Sequence, residues 1–315
     1  KVNQADLDRL ATGITIDGSA NANTITPRNW QDIAVSGETG TYQLACVKDG
    51  YIYYSSDYGV TWTSASVTIE SVTPQAINRS WKALANSANG KYGLACVNSA
   101  TDYGYIYRSE NFGAAWSAYN LAIAGVGSQV TSRLWQDVGM SANGKYQVAC
   151  LNENTYSSTT ESSTTPSTIS TFVSTVSVMV PPPGALATTY GTSWSKRGGD
   201  IDGEAVGDQS GYSVSMSADG TVVAVGAPMN NGANGRESGQ VRVYALTGGG
   251  VWAQRGADID GEFGLTTMTT PKVVAATATS EIGSWYGVSL SGTGQYQTAV
   301  HVGGAVYTSS DYGAT

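Results

Sequence analysis

One pattern recurs along this chain and fixes what it can become. A Trp is followed six residues later by a Ser, then by a Gly-bearing turn, a strand carrying Tyr and Cys, a Tyr-rich strand and a closing Trp. The first copy runs from Trp30 through Ser36, Tyr42, Cys46, Tyr51 and Ser55 to Trp62. A unit of about 50 residues that repeats in this way cannot bury its apolar face alone and has to stack on its neighbours.

The Ser residues set the register at Ser36, Ser87, Ser141, Ser217 and Ser291, with Trp30, Trp81, Trp135 and Trp285 six residues before four of them and Gly211 before the fourth. Gly90, Gly144 and Gly220 follow Asn, Asn and Asp. Such pairs favour two-residue hairpins because both positions tolerate positive φ. Each unit therefore opens as a hairpin. A third strand is expected at 51–55, 103–109, 240–245 and 305–309, and a fourth around Trp62, Trp116, Trp194 and Trp252. Four antiparallel strands in each unit of this length read as the blade of a β-propeller. The expected fold is all-β, with about five blades or more near 30–66, 81–120, 135–197, 211–255 and 285–315. Residues 1–29 are turn-rich and are expected to supply a strand that closes the ring. The stretch 152–183 is rich in Ser, Thr and Pro and reads as an insertion in the third blade, with an interdomain linker as the alternative. Because the pattern stops inside its last motif at Thr315, five units is taken as a lower bound.

Composition removes several functions. The formal net charge is -8 and charged residues make up 13% of the chain, so it is poorly suited to gripping phosphate backbones and nucleic acid is not an expected partner. No apolar run approaches the ~20 residues of a membrane span. The chain opens without a charged-then-apolar leader, which reads as a signal peptide absent or already removed. Cys46, Cys96 and Cys150 occupy one position in successive units, where the last unit has Val300. They read as small apolar fillers, free and buried, since equivalent positions in adjacent units stand too far apart for a disulfide.

The text Ser55-x-Asp57-x-Gly59-x-Thr61-Trp62 resembles the Asp-box, or BNR repeat, of sialidases and other propellers; Ser109-x-Asn111-x-Gly113-x-Ala115-Trp116 and Ser309-x-Asp311-x-Gly313-x-Thr315 resemble degraded or truncated copies. In that family the box lies at the blade rim, between the third and fourth strands, and its role is structural: the short acid accepts backbone N–H bonds within a tight turn. Trp194 to Glu204 recurs as Trp252 to Glu262, each with Asp-Ile-Asp-Gly-Glu, and resembles FG-GAP propeller repeats. The oxygens of Asp200, Asp202, Glu204 and Asp208 are candidates for Ca²⁺ on this resemblance, but the spacing of a full calcium loop is missing and turn chemistry is the preferred reading. No cofactor is otherwise expected. The repeat wording also resembles repeat proteins of large marine DNA viruses.

The resemblance to sialidases invites a test. Their Arg-Ile-Pro text is absent; the nearest is Thr26-Pro-Arg28. Arg28, Arg79 and Arg133 each precede a leading Trp by two residues, a repetition that suggests a structural role, with a ring of guanidinium groups for an anionic glycan as the alternative. His301 is the only histidine, so His-dependent triads and multi-His metal sites are nearly excluded, and no Asp or Glu stands out from the turn pattern. The expected function is a non-catalytic structural or adhesive module, extracellular or on a virion surface. Its expected partners are protein subunits or surface glycans, including copies of itself. The alternative is a sialidase-like glycoside hydrolase. Asn78-Arg-Ser80 is an N-glycosylation sequon.

Overall fold

A computed structural model describes residues 15–16, 28–37, 39–68, 78–99, 105–119, 122–123, 134–151, 175–180, 193–199, 201–205, 207–235, 237–261, 285–301 and 306–312. These residues form strands and turns, with no helix among them.

The innermost strands are Trp30–Val35, Arg79–Asn86, Trp135–Met140, Ser213–Met216 and Trp285–Leu290. Each pairs antiparallel with a second strand, namely Gln43–Gly50, Gly93–Val97, Gln147–Leu151, Val222–Ala227 and Gln297–His301. Third strands follow at Ile52–Ser55, Ile106–Ser109, Thr175–Val180, Gln240–Leu246 and Val306–Ser309. Fourth strands begin at Thr61, Ala115, Ser193 and Trp252. The inner strands surround one cavity, and the protein is a β-propeller.

Two features depart from expectation. Thr175–Val180 lies inside the stretch read as an insertion, yet it pairs with the second and fourth strands of the third sheet. Its alternation of Val with Thr, Ser and Met is the period-2 signal of a strand, so the insertion reading does not hold for these residues; 152–174 and 181–183 lie outside the described residues. Thr15–Ile16 does not reach the last sheet. It pairs in parallel with Thr61 and Trp62, on the outer edge of the first sheet. Ser66–Thr68 and Ala122–Ile123 make the same parallel contact with the fourth strands of the second and third sheets. The segment entering each of these three units therefore lengthens that unit's own sheet.

Apolar clusters lie between consecutive sheets. Leu44, Cys46 and Ile52 of the first meet Trp81, Leu84 and Trp116 of the second. Leu94, Cys96 and Ile106 of the second meet Trp135 and Val138 of the third, and Val148 and Cys150 of the third meet Val214 and Met216 of the fourth. The cysteines are free and buried.

At one end of the cavity the hairpin turns lock together. Ala88, Ala142 and Ala218 donate their N–H groups to the carbonyls of Ala142, Ala218 and Gly292 at 2.8–2.9 Å. A Cβ built on Gly90, Gly144 or Gly220 would stand within 2.4–2.7 Å of Tyr42, Tyr92 or Tyr146 in the preceding unit. These glycines also have φ of 70–75°, so both backbone angle and neighbour exclude a side chain.

Candidate functional site

The site begins with a β-bulge. Pairing slips between Trp30 and Asp32, Trp81 and Ala83, Trp135 and Asp137, and Trp285 and Gly287. A bulge re-aims the residue it skips. In the first three units those residues are Gln31, Lys82 and Gln136, and all three line the cavity mouth. The Lys82 ammonium lies 5.5 Å from the centre of the Tyr212 ring. Asn98 donates its amide to Gln136 Oε1 at 3.1 Å and to the Trp135 carbonyl at 2.9 Å. A side cavity of about 200 Å³ adds Lys48 and Ser80 to this rim. The mouth is thus lined by amide and ammonium donors.

Below it, the central cavity of about 680 Å³ holds two carboxylates. Asp32 Oδ1 accepts from Ile33 N–H at 2.8 Å, and its Oδ2 accepts from Leu84 N–H of the next unit at 2.7 Å. Asp137 repeats this with Val138 at 2.8 Å and Val214 at 2.7 Å. Ser213 continues the series, accepting from Val288 N–H at 3.1 Å. Burial pushes Asp32 above the usual carboxylate range although the Leu84 and Ile33 amides oppose it. Burial drives Asp137 up to about 7 against the hydrogen bond from Val214, with the Asp32 charge adding to the rise. The second unit has Ala83 in this position. Sequence reasoning passed over both aspartates. The signal was present: Trp-Gln-Asp occurs in two units where Trp-Lys-Ala occurs in another.

The residues singled out in the sequence lie elsewhere. Arg28 donates through Nη1 to the Tyr53 hydroxyl and sits 4.9 Å from that ring's centre. Arg79 is buried, 5.9 Å from the centre of the Tyr107 ring. Neither lines the cavity. Arg133 lies outside the described residues.

The Ser-x-Asp-x-Gly turn at 55–59 links the first unit's third strand to its fourth. Asp57 Oδ1 accepts from Ser55 Oγ at 2.8 Å and Thr61 N–H at 2.9 Å, and its Oδ2 from Thr61 Oγ1 at 2.6 Å. Burial acts against the charge, but the Thr61 and Ser55 donors outweigh it and hold Asp57 below the usual range. Gly59 N–H reaches Ser55 Oγ, and Trp62 Nε1 donates to the Gly59 carbonyl at 3.0 Å. Ser109, Asn111, Gly113 and Trp116 reproduce this wiring. Ser309 donates to Asp311 at 2.7 Å; Gly313 lies outside the described residues.

The calcium candidates form a different knot. Asp200 is outside the described residues. Glu204 Oε2 accepts from Asn230 Nδ2 and Gln240 Nε2, both at 3.0 Å, while Arg242 Nη1 stands 3.6 Å from Oε1. Asp208 Oδ2 accepts from Ala205 N–H and Asn230 Nδ2, and the Asp202 carbonyl accepts from Arg242. Amide N–H groups and the Arg242 guanidinium engage Glu204 Oε2, Asp208 Oδ2 and the Asp202 carbonyl, a cation-bearing donor set unlike the six to eight oxygen ligands of Ca²⁺. Among the described residues no three side chains gather as a metal site.

No family model and no curated protein matches the chain. Solved structures similar to it are β-propeller proteins. YCF48 bound to a D1 peptide is 13% identical, with a TM-score of 0.43 over 92% of this chain and 81% of that one. The periplasmic gluconolactonase of Pseudomonas aeruginosa is 13% identical with a TM-score of 0.48, over 88% of this chain and 67% of that one. The GH74 xyloglucanase of Xanthomonas campestris is 14% identical with a TM-score of 0.45, over 90% of this chain and 36% of its own. The neighbours include enzymes and binding proteins, so the likeness extends to the fold alone.

Proposed function

We propose that the chain is a non-catalytic propeller module of a virion surface or an extracellular appendage, one that holds protein subunits or surface glycans. The supporting observation is the use made of its channel carboxylates. Each oxygen of Asp32 and Asp137 accepts a backbone N–H, one from its own unit and one from the next. Such bonds tie neighbouring units together and give both carboxylates a structural task. The mouth, with Gln31, Lys48, Lys82, Asn98 and Gln136, offers donors suited to carbonyl-rich loops or sugar hydroxyls. The Asp-box relationship belongs to this reading, its turns serving the fold.

A second reading, a glycoside hydrolase, draws on one observation: a carboxyl held up to about 7 is in the range of a general acid. Turnover on sialosides and a panel of glycosides separates the two. The proposal expects no turnover by the purified protein and lower melting temperatures in Asp32→Asn and Asp137→Asn. Turnover with a pH limb near 7 that disappears in a stably folded Asp137→Asn would overturn it.

A further inference from the structure

The side cavity at the channel mouth sits where three consecutive units meet. Gln31 and Lys48 come from the first unit, Ser80, Lys82 and Asn98 from the second, and Gln136 from the third. Backbone pairing sets its walls: Lys48 pairs with Ser80, and Asn98 with Leu134. The chain has 24 acidic residues against 16 Lys and Arg, yet no Asp or Glu lines this cavity. Two ammonium groups stand there without a counter-charge. Lys48 is exposed and Lys82 half-buried, and among the described residues neither has an ion-pair partner. Asp32 feels the Lys82 charge, but its oxygens accept from the Ile33 and Leu84 N–H groups. Asp49, next to Lys48 in the chain, accepts from Ser80 Oγ at 2.5 Å. Gln136 adds a third donor. It is only 7% exposed, and its Oε1 accepts from Asn98 Nδ2, which leaves Nε2 to donate. No partner meets that Nε2 among the described residues. A nearly buried amide donor in this state calls for an acceptor from outside the chain.

We propose that this cavity binds the carboxylate of an acidic peptide segment, an Asp or Glu side chain carried on a loop or tail of a partner protein. Charge selects the ligand. Two ammonium groups and an amide N–H form a donor set for an anion with more than one oxygen, and charge-assisted bonds of this kind are the stronger class. No arginine lines the cavity to grip a phosphate with two parallel bonds. Shape selects the partner. A sugar ring needs an open aromatic face to lie on. The one aromatic in the wall, Trp81, is 1% exposed and gives its indole N–H to the Gly50 carbonyl. The Tyr212 ring across the mouth already faces Lys82. The amides of Gln31 and Gln136 carry both a donor and an acceptor, as a peptide group does. These two residues and Lys82 also line the central cavity, so the residues flanking the bound acid run along the channel mouth. The inference rests on the protein-contact part of the proposed function and names its chemistry. Its test reads binding and not turnover, so the two can fail separately.

Fluorescence anisotropy tests it with a labelled Gly-Ser hexapeptide carrying two adjacent glutamates and with its glutamine twin. At low ionic strength wild type should bind the glutamate peptide at least about tenfold more tightly than the twin, and added salt should shrink the difference. Lys48→Gln and Lys82→Gln should each weaken the glutamate peptide at least about fivefold and leave the twin unchanged. Gln136→Glu keeps the oxygen that accepts from Asn98 but replaces the donor with a carboxylate oxygen, and should weaken it about tenfold. Lys91→Gln and Lys145→Gln, on exposed lysines beside the glycine turns at the other end of the cavity, should change nothing. Thermal melts confirm that each variant is folded, and Lys48, being exposed, provides the variant least able to disturb the fold. A wild type that binds both peptides alike or neither, or binding of the glutamate peptide that survives Lys48→Gln and Lys82→Gln, overturns the proposal. A uronate oligosaccharide or a phosphoserine peptide bound more tightly than the glutamate peptide through the same lysines overturns the choice of ligand.

Discussion

In the first unit the closing Trp62 donates its indole N–H to Gly59 in its own turn; in the fourth, Trp252 donates to Arg197 of the unit before it, at 2.6 Å. Arg197 in turn gives Nη1 to the Gly220 carbonyl and lies 3.8 Å from the centre of the Tyr146 ring. The first unit turns from its third strand to its fourth with contacts a few residues apart. The fourth carries a polar knot that joins the exposed Glu204 and the buried Asp208 to Asn230, Gln240 and Arg242, more than 20 residues along the chain. The same kind of sheet thus leans on local wiring at one turn and on long-range wiring at another. A local turn can be damaged without disturbing its neighbours; a knot cannot.

The largest expected effect breaks the knot. Asn230→Leu removes the amide that serves two carboxylates, and Asp208 is almost fully buried, so the variant should lose about 3 kcal/mol, with hydrogen exchange rising from 201 to 246. Asp57→Ala, its local counterpart, should cost about 1 kcal/mol and loosen only 55–62. Equal costs and equal footprints would erase the distinction. Next come the seams, which should not differ between the two kinds of unit. Gly144→Ala would drive a Cβ to 2.7 Å from Tyr92, and Gly294→Ala to 2.8 Å from Val222, both at positive φ. Each should cost about 2 kcal/mol in a denaturant melt. Trp62→Phe and Trp252→Phe remove one indole bond apiece and should each cost about 1 kcal/mol, but only the second should raise exchange across the seam near Arg197.

The smallest effect is a slope. The Asp137 pKa is raised in the fold, so the stability it contributes is present at acid pH and is lost as pH climbs from about 4 through about 7. Asp57 has the opposite sign: its stabilisation is present above the ordinary carboxylate pKa and disappears as pH falls through its lower folded value. Melting temperature against pH should therefore flatten above pH 4 in Asp137→Asn and flatten below pH 4 in Asp57→Ala.

Much of the fold was legible because its devices are local. Asn-Gly and Asp-Gly turns, a Trp six residues before four of the five Ser residues and period-2 alternation mark strands wherever they occur. The fourth-strand text around Trp194 and Trp252 announced two matching edges, and Ile201–Asp202 and Ile259–Asp260 make the same pairing to their third strands. What escaped was cooperative. Asp32 and Asp137 acquire their role only because the next unit presents an N–H, and nothing in Trp-Gln-Asp states which strand will lie beside it. The parallel edge strands escaped for a similar reason: two or three residues such as Thr15–Ile16 are too short to carry a period.

The buried cysteines have a practical consequence. Cys46, Cys96 and Cys150 each belong to a different seam, first to second, second to third and third to fourth, and burial raises all three thiols. A thiol in that state reacts only when its seam parts. The molecule therefore carries three clocks of identical chemistry at three successive joints. Their alkylation rates, read separately by mass spectrometry, order the joints from the first to breathe to the last.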